Sequence, residues 1–323
     1  MRILLWHVHG SWTTSFVSGR HTYLLPVTPG RDADGLGRAD TWDWPASAIE
    51  VPAGELRDAD VDLVVLQRPH EIELAERWLG RRLGTGRDVP AVYVEHNTPK
   101  GDVPLTRHPL ACRDDIPLVH VTGFNALAWD SGPAPATVIE HGVVDPGERY
   151  TGELERAAVA VNEPLRRGRV TGTDLLPYFA EAAPLDVYGM KVEGLPAALG
   201  LGEDRCRAHE DLPQHRMHAE LARRRVYLHP ARWTSLGLSL IEAMHLGMPV
   251  VVLGTTEAAE AVTPGTGVVS TRLEVLAAAV RRYLDDPLEA RRAGKAAREA
   301  ALGRYSLDRF LTDWDDLIWE TTA

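Results

Sequence analysis

Short apolar runs separated by polar stretches dominate the first half of the chain. The runs 3–8 (ILLWHV), 21–27, 61–66 (VDLVVL), 91–94 (AVYV), 118–122 (LVHVT) and 137–139 are β-rich and bounded by turn residues, which predicts strands. Between two of them, 71–83 (EIELAERWLGRRL) spaces its apolar residues at helical intervals. Strand alternating with helix predicts a parallel sheet with both faces covered. The stretch 28–45, rich in Gly, Asp and Arg and without periodicity, predicts an ordered surface loop.

Residues 141–149 (HGVVDPGER) have the composition of a linker, and beyond them the pattern restarts. Strands are predicted over 157–161, 185–188, 226–228 and 249–253. Helices are predicted over 174–182, 217–224, 238–246, 273–284, 288–301 and 307–319. A length of 323 residues suits two cores of roughly 150 residues better than one. The fold class is therefore α/β: two Rossmann-like, doubly wound domains, with the cleft between them as the default site.

Composition narrows the function classes. A hydrophobic share of 44% with 25% charged residues disfavours disorder and fibrous classes, and a net charge of -11 argues against a dedicated nucleic-acid binder. Cys112 and Cys206 are the only cysteines, so no disulfide framework and no C-x-x-C zinc pair exists. The apolar run 250–253 falls far short of the roughly 20 residues that span a bilayer, and the opening MRILLWHVHG reads as a first strand rather than a signal peptide. The expectation is a cytoplasmic protein without stable membrane insertion.

The stretch 226–253 (VYLHPARWTSLGLSLIEAMHLGMPVVVL) carries the most chemistry. A buried strand ends at His229–Pro230, a loop follows, and Gly237 opens a helix that closes at Gly247 before the next strand. A glycine at a helix mouth beyond a parallel strand leaves backbone N–H groups open to an anion. One turn inside, Glu242 stands among Leu240, Ile241, Ala243 and Met244, where a carboxylate is costly without a dedicated partner. A vicinal diol such as a ribose edge supplies two donors; an ordinary buried, satisfied glutamate is the plainer alternative.

These residues resemble the second-domain signature of GT-B glycosyltransferases of the retaining family 4 type. That signature is a Pro, a Glu, a Phe-Gly pair, a second Glu eight residues after the first, then Ala-Met, Gly and Pro-Val-Val. Pro230, Leu236–Gly237, Glu242–Ala243–Met244, Gly247 and Pro249–Val250–Val251 stand in register with it. The resemblance implies that Glu242 binds the ribose of a nucleotide-sugar donor and that N–H groups at Gly237, Leu238 and Ser239 face its diphosphate. The family's first Glu falls on Thr234, which brings hydrogen bonding without charge and puts the usual donor sugar in doubt. Arg167–Gly168 (in VAVNEPLRRG) takes the place of the family's Lys-Gly pair beside the diphosphate. The family's earlier Arg is missing at Val161–Asn162; Arg166 or Arg169 would compensate, and a solvated basic turn is the alternative. Glu210 (in HEDL) stands where the family has a Gly beside the nucleobase, and Lys191 points to either the cleft or the surface.

In the first domain, the family's catalytic His, at a strand end facing the anomeric carbon and acceptor, maps by the resemblance to His96 in AVYVEHNTP, with His70 as a second candidate among 13 histidines. Residues 9–20 are too short for the family's long first helix, although Gly10 and Ser11 can offer N–H groups to the diphosphate. Trp12 reads equally as a sugar platform or a core aromatic. Together these imply a three-part layout: 1–145 as the acceptor-side domain, 146–304 as the donor domain, and 305–323 as a helix packing back on the first. The activity implied is transfer of a hexosyl-type unit from a nucleoside-diphosphate sugar to a small-molecule or glycan acceptor. Configuration is retained, no metal is used, and no cofactor beyond the donor is needed. The alternative is a nucleotide-sugar binding protein of the same shape without transferase activity.

Overall fold

The computed structural model describes residues 1–39 and 41–323. The chain forms two compact units, Met1–Val144 with Leu307–Ala323, and Asp145–Ser306. Among the described residues no helix is long and apolar enough to cross a membrane.

The first unit runs β1 (Arg2–Leu5), α1 (Gly10–Val17), β2 (Thr22–Val27), β3 (Ala48–Pro52), β4 (Leu63–Leu66), α2 (Glu71–Leu79), β5 (Ala91–Glu95), β6 (Leu118–His120), α3 (Gly123–Ala128) and β7 (Ala136–Val138). Its seven strands are all parallel, in the order β3-β2-β1-β4-β5-β6-β7. Leu4, Leu24, Val64, Leu66, Tyr93 and Leu118 turn one face of that sheet toward Leu74, Ala75 and Leu79 of α2. Strands buried on both faces need continuous apolar runs, and β4 (LVVL) supplies one.

The second unit contains β8 (Leu154–Ala160), α4 (Pro164–Arg167), α5 (Leu176–Ala180), β9 (Leu185–Gly189), α6 (Leu195–Ala198), β10 (Cys206–Glu210), α7 (Gln214–Leu221), β11 (Arg224–His229), α8 (Leu238–His245), β12 (Val250–Leu253), α9 (Ala258–Ala261), β13 (Gly267–Ser270), α10 (Leu273–Asp285) and α11 (Pro287–Arg304). The six strands are parallel in the order β10-β9-β8-β11-β12-β13. Helix α11 starts on Asp286, whose carboxylate accepts the N–H groups of Leu288 and Glu289 at 2.9 Å each. Its buried stripe is Ala290, Ala293, Gly294, Ala297 and Ala301. A Cβ on Gly294 would collide with the carbonyl oxygen of Gly247, so small residues are what let α11 lie against the end of α8.

The chain then returns to the first unit as α12 (Leu307–Thr322). Phe310, Trp314 and Ile318 recur every four residues and are buried. Trp314 meets Trp12 at 5.7 Å and Phe16 at 5.0 Å, both edge-on, and Trp12 stacks on Phe16 at 4.9 Å.

Three strands escape the hydrophobic pattern. β3 (AIEVP) and β10 (CRAHE) are edge strands carrying Glu50, Arg207 and Glu210, and β13 (GVVS) has only four residues. An edge strand keeps polar side chains wet, so its signal is weak. The predicted helix 217–224 is shifted: α7 begins at Gln214, and Arg224 is already in β11. The predicted helix 174–182 is split into a 3-10 turn, Thr173–Leu175, and α5. The 9–20 stretch holds a two-turn helix, α1.

Candidate functional site

In the second unit, β11 ends at His229 and the chain reaches α8 through residues 230–237. Gly237 is the N-cap of α8, with φ -71° and ψ 114°, and no side chain caps the helix. The first-turn N–H groups at Leu238 and Ser239 are thus left to backbone or ligand. Glycine is needed here for room, since a Cβ would run into the imidazole of His229. That histidine is 5% exposed, burial lowers its pKa to about 4, and its Nε2 has no hydrogen-bond partner among the described residues. It is therefore neutral at pH 7. Leu236 is buried, and the Ser239 hydroxyl accepts from Tyr227 Oη at 2.9 Å. At the far end Gly247 takes φ +83°, a left-handed conformation that stops the helix.

Glu242 lies one turn inside and is 2% exposed. Its Oε1 accepts from Gln214 Nε2 at 3.2 Å, and its Oε2 lies 3.3 Å from His218 Nε2. Both of these residues come from α7, the neighbouring helix.

The basic turn at α4 lies against the same loop: the N–H groups of Arg232 and Trp233 both donate to the Val170 carbonyl, at 2.9 and 3.1 Å. Most of its cations are committed. Arg166 and Lys191 both pair with Glu163, whose Oε1 accepts from the Lys191 ammonium at 2.6 Å. Arg169 pairs with Asp174 at 2.9 Å, and Arg232 reaches the same carboxylate at 3.0 Å. Arg169 is therefore not a spare cation. Arg167 is half-buried and has no ion pair or side-chain hydrogen bond among the described residues. Burial, then the nearby Arg166, lowers its pKa, a sign of a cation awaiting a counter-charge. Asn162, where the earlier Arg was sought, uses its Oδ1 to accept from the Met190 N–H at 2.9 Å. Thr234 is half-buried and its hydroxyl makes no hydrogen bond among the described residues.

Glu210 is folded back on the strand end. Its carboxylate accepts the N–H groups of Lys191, Val192 (2.7 Å) and Glu193 (3.0 Å), which hold its pKa below the usual carboxylate range. Lys191 adopts φ +57°, the left-handed turn that aims these N–H groups together.

In the first unit, His96 follows β5 and is 9% exposed. His9 packs against it, tilted by 37° at 4.1 Å, and Trp12 meets it edge-on at 5.0 Å. Burial, reinforced by His9 and His141, holds its pKa well below the usual histidine value. Its Nε2 is buried and without a hydrogen-bond partner among the described residues, as is Nδ1 of His141, whose pKa burial lowers to about 3. Gly10 and Ser11 form the first turn of α1, and a Cβ on Gly10 would touch the Trp42 ring. Trp12, at 1% exposure, is a core aromatic and no platform for a sugar. His70 precedes α2 and bonds Asp34 at 2.8 Å.

Sequence reasoning missed His229, Gln214, His218 and His9. His229 alone left a trace, as the last residue before the Pro230 of the motif.

Residues 191–300 match the family described as "Glycosyl transferases group 1". The match holds Thr234, Gly237 and Glu242 and excludes Arg167. No curated protein sequence matches the chain. Among solved structures, sucrose-phosphate synthase from Thermosynechococcus elongatus superposes with a TM-score of 0.72 at 14% identity, over 99% of this chain and 98% of that one. The Anabaena protein HepE in complex with UDP does so with a TM-score of 0.70 at 14% identity, over 99% of each chain. A glycosyltransferase from Rickettsia africae gives 0.66 at 14% identity, over 99% of this chain and 98% of that one. At such identities the likeness is one of fold: two parallel-sheet, Rossmann-like units of the GT-B class.

Proposed function

We propose that this chain, a GT-B fold whose second unit carries the glycosyl transferases group 1 segment, transfers a glycosyl unit from a nucleoside-diphosphate sugar. One observation carries the reading. The second unit holds the uncapped start of α8, an uncommitted, half-buried Arg167 on the turn that bonds the loop leading to that helix, and a buried Glu242. A diphosphate needs the first two and a ribose diol the third. In transfer the bond from the anomeric carbon to the diphosphate oxygen breaks, and negative charge grows on the leaving group. Arg167 and the N–H groups at Leu238 and Ser239 meet that charge without having to reorganise. HepE is a UDP and UDP-glucose complex in related structures, which favours a uridine donor here. Retention of configuration, and a metal-free route with no cofactor, rest on the family likeness alone. So do the roles of Gly10 and Ser11 as N–H donors to the diphosphate and of His96 as the residue facing the anomeric carbon, and the cytoplasm is the compartment this reading assigns. With its Nε2 enclosed, His96 orients neighbours and does not attack.

A second reading is favoured by Thr234 and by the enclosed His96: a nucleotide-sugar binding protein without turnover. Thermal stabilisation against UDP, GDP, ADP and dTDP tests the common ground. One nucleotide at about 100 times its Kd should add about 2.7 kcal/mol, and Arg167→Ala should lose most of that. No shift from any of the four would overturn both readings. Release of free sugar or nucleotide from the matching donor then separates enzyme from binder.

A further inference from the structure

Two short segments of the second unit carry the groups assigned to the diphosphate: the turn 163–175, which holds Arg167, and the loop 230–237, which opens α8. They are fastened to each other by backbone and side chain together. The Val170 carbonyl accepts from the N–H groups of Arg232 and Trp233. Gly172, at φ +75°, brings its Cα so near the Pro230 carbonyl that a Cβ would stand 2.0 Å from that oxygen. A third tie is the Arg232 guanidinium, which forks onto Asp174: Nη1 donates to Oδ1 and Nη2 to Oδ2. Its Nη1 also donates to the Arg169 carbonyl at 3.1 Å. Within the turn, the Thr173 hydroxyl donates to the Pro164 carbonyl at 2.8 Å and meets the Thr171 hydroxyl at 3.0 Å. The residue before Asp174 is thus bonded back to the start of α4, the helix that ends in Arg167. A bonded path runs from α4 through Asp174 and Arg232 to the loop that opens α8. A planar fork fixes orientation as well as distance, which a single bond in its place would not.

We propose that Asp174 and Arg232 are positioning residues for the donor diphosphate: their forked pair holds the Arg167 turn in register with the α8 loop, so that the cation and the Leu238 and Ser239 N–H groups form one preset cradle. This rests on the reading of Arg167 and the start of α8 as the diphosphate site. The pair acts through Arg167 and touches no ligand atom. The sign of its effect separates it from simple electrostatics. Asp174 is an anion whose pKa the Arg232 fork lowers, and removing its charge should by Coulomb's law strengthen the binding of another anion. Removing a positioning pair weakens that binding instead, because the cation must then be ordered at the ligand's expense.

The test is calorimetric titration of the wild-type protein, Asp174→Asn, Arg167→Ala and the double variant. The probes are UDP, GDP, ADP and dTDP, followed by the monophosphate of whichever binds. The Asp174 side chain is 37% exposed, so its variant should fold, and thermal unfolding checks that it does. The expected result is that Asp174→Asn weakens diphosphate binding about three- to fivefold relative to the monophosphate, the scale of a partly exposed pair. It should add nothing once Arg167 is already alanine. Arg232→Lys, which keeps the charge and loses the fork, should lower the same ratio. Tighter or unchanged diphosphate binding in Asp174→Asn would overturn the proposal. So would an equal loss for diphosphate and monophosphate, which marks a merely structural pair. A loss that persists in the Arg167→Ala background would overturn it too, since the pair would then act through another group. Unchanged diphosphate binding in Arg167→Ala would overturn the reading of Arg167 and the positioning pair with it. Binding of none of the four would remove the proposed function itself.

Discussion

Each unit buries a histidine at the end of a parallel strand, β5 in the first and β11 in the second, and the two surroundings differ. At the end of β5 in the first unit, His96 is sealed among His9, His141 and Trp12, and the aromatic cluster continues through Phe16 to Trp314 of α12. At the end of β11 in the second, His229 is also buried, the loop beyond it leads to the uncapped start of α8, and the same unit holds an uncommitted Arg167 and a Glu242 that accepts from Gln214. The first arrangement is built for packing. Under the proposed function the second receives a charged ligand. A buried ring nitrogen without a partner is common to both units, at His96 and at His229; the uncapped helix start and the uncommitted Arg167 occur in the second.

The sharpest way to break that contrast is to remove a ring from the first unit. Trp314→Ala should cost about 3–5 kcal/mol through the cavity it opens among Trp12, Phe16 and Phe310. Hydrogen exchange should quicken in β1 and β2 while β11 and β12 stay protected, and nucleotide affinity in the folded variant should hold. Lost nucleotide binding would mean that the aromatic cluster supports the second unit's site.

Glu242→Ala comes next. Removing a buried carboxylate that makes charged hydrogen bonds to ribose should weaken nucleotide binding by about 1.5–3 kcal/mol, read by titration against the nucleotide that binds. Unchanged affinity in a folded variant would make Glu242 a packing residue like those of the first unit.

How far the sequence reveals these differences follows the same divide. Both parallel sheets are legible because buried strands such as LVVL and VVVL show unbroken apolar runs. In the second unit the spacing from Pro230 to Gly247 constrains backbone as well as side chains, so Gly237 and Glu242 fall where a helix mouth and its first turn need them. Gln214 and His218 were invisible because they reach Glu242 across 28 and 24 residues from another helix, and no local pattern records such a pairing. Arg167 was legible as a basic residue but not as the uncommitted one; only the ion pairs of Arg166 and Arg169 single it out. The first unit's histidines could not be ranked from spacing, since His9 and His96 meet only when the ends of β1 and β5 are brought close in the sheet.

Acid should tell the units apart by a smaller margin. Burial depresses His96, His120 (about 4) and His141 (about 3) in the first unit, and His229 (about 4) and His245 in the second. A depressed histidine stays neutral when folded and takes up a proton when unfolded. Stability is thus fully present above about pH 6.5 and falls as pH drops toward the folded value. With three such groups against two, the first unit should lose about 1–2 kcal/mol more than the second between pH 7 and pH 5. Hydrogen exchange on β5 and β11, corrected for intrinsic rates at each pH, reads the difference. Equal losses would show that the histidines of the first unit are not the drier set.

The subtlest change concerns Thr234, half-buried and unbonded on the loop that leads to α8. If a donor sugar lies there, Thr234→Glu adds a carboxylate able to accept from sugar hydroxyls, while the diphosphate and ribose contacts at Arg167, Gly237 and Glu242 are left alone. Affinity for the bare nucleotide should then stay within about twofold, or about 0.4 kcal/mol. Preference among nucleotide sugars sharing that base should shift. An unchanged donor profile would place position 234 off the sugar. A large fall in nucleotide affinity would place it beside the diphosphate, where a second negative charge repels the first. Either result sharpens the contrast with the first unit, because only a receiving surface can register a charge added to its rim.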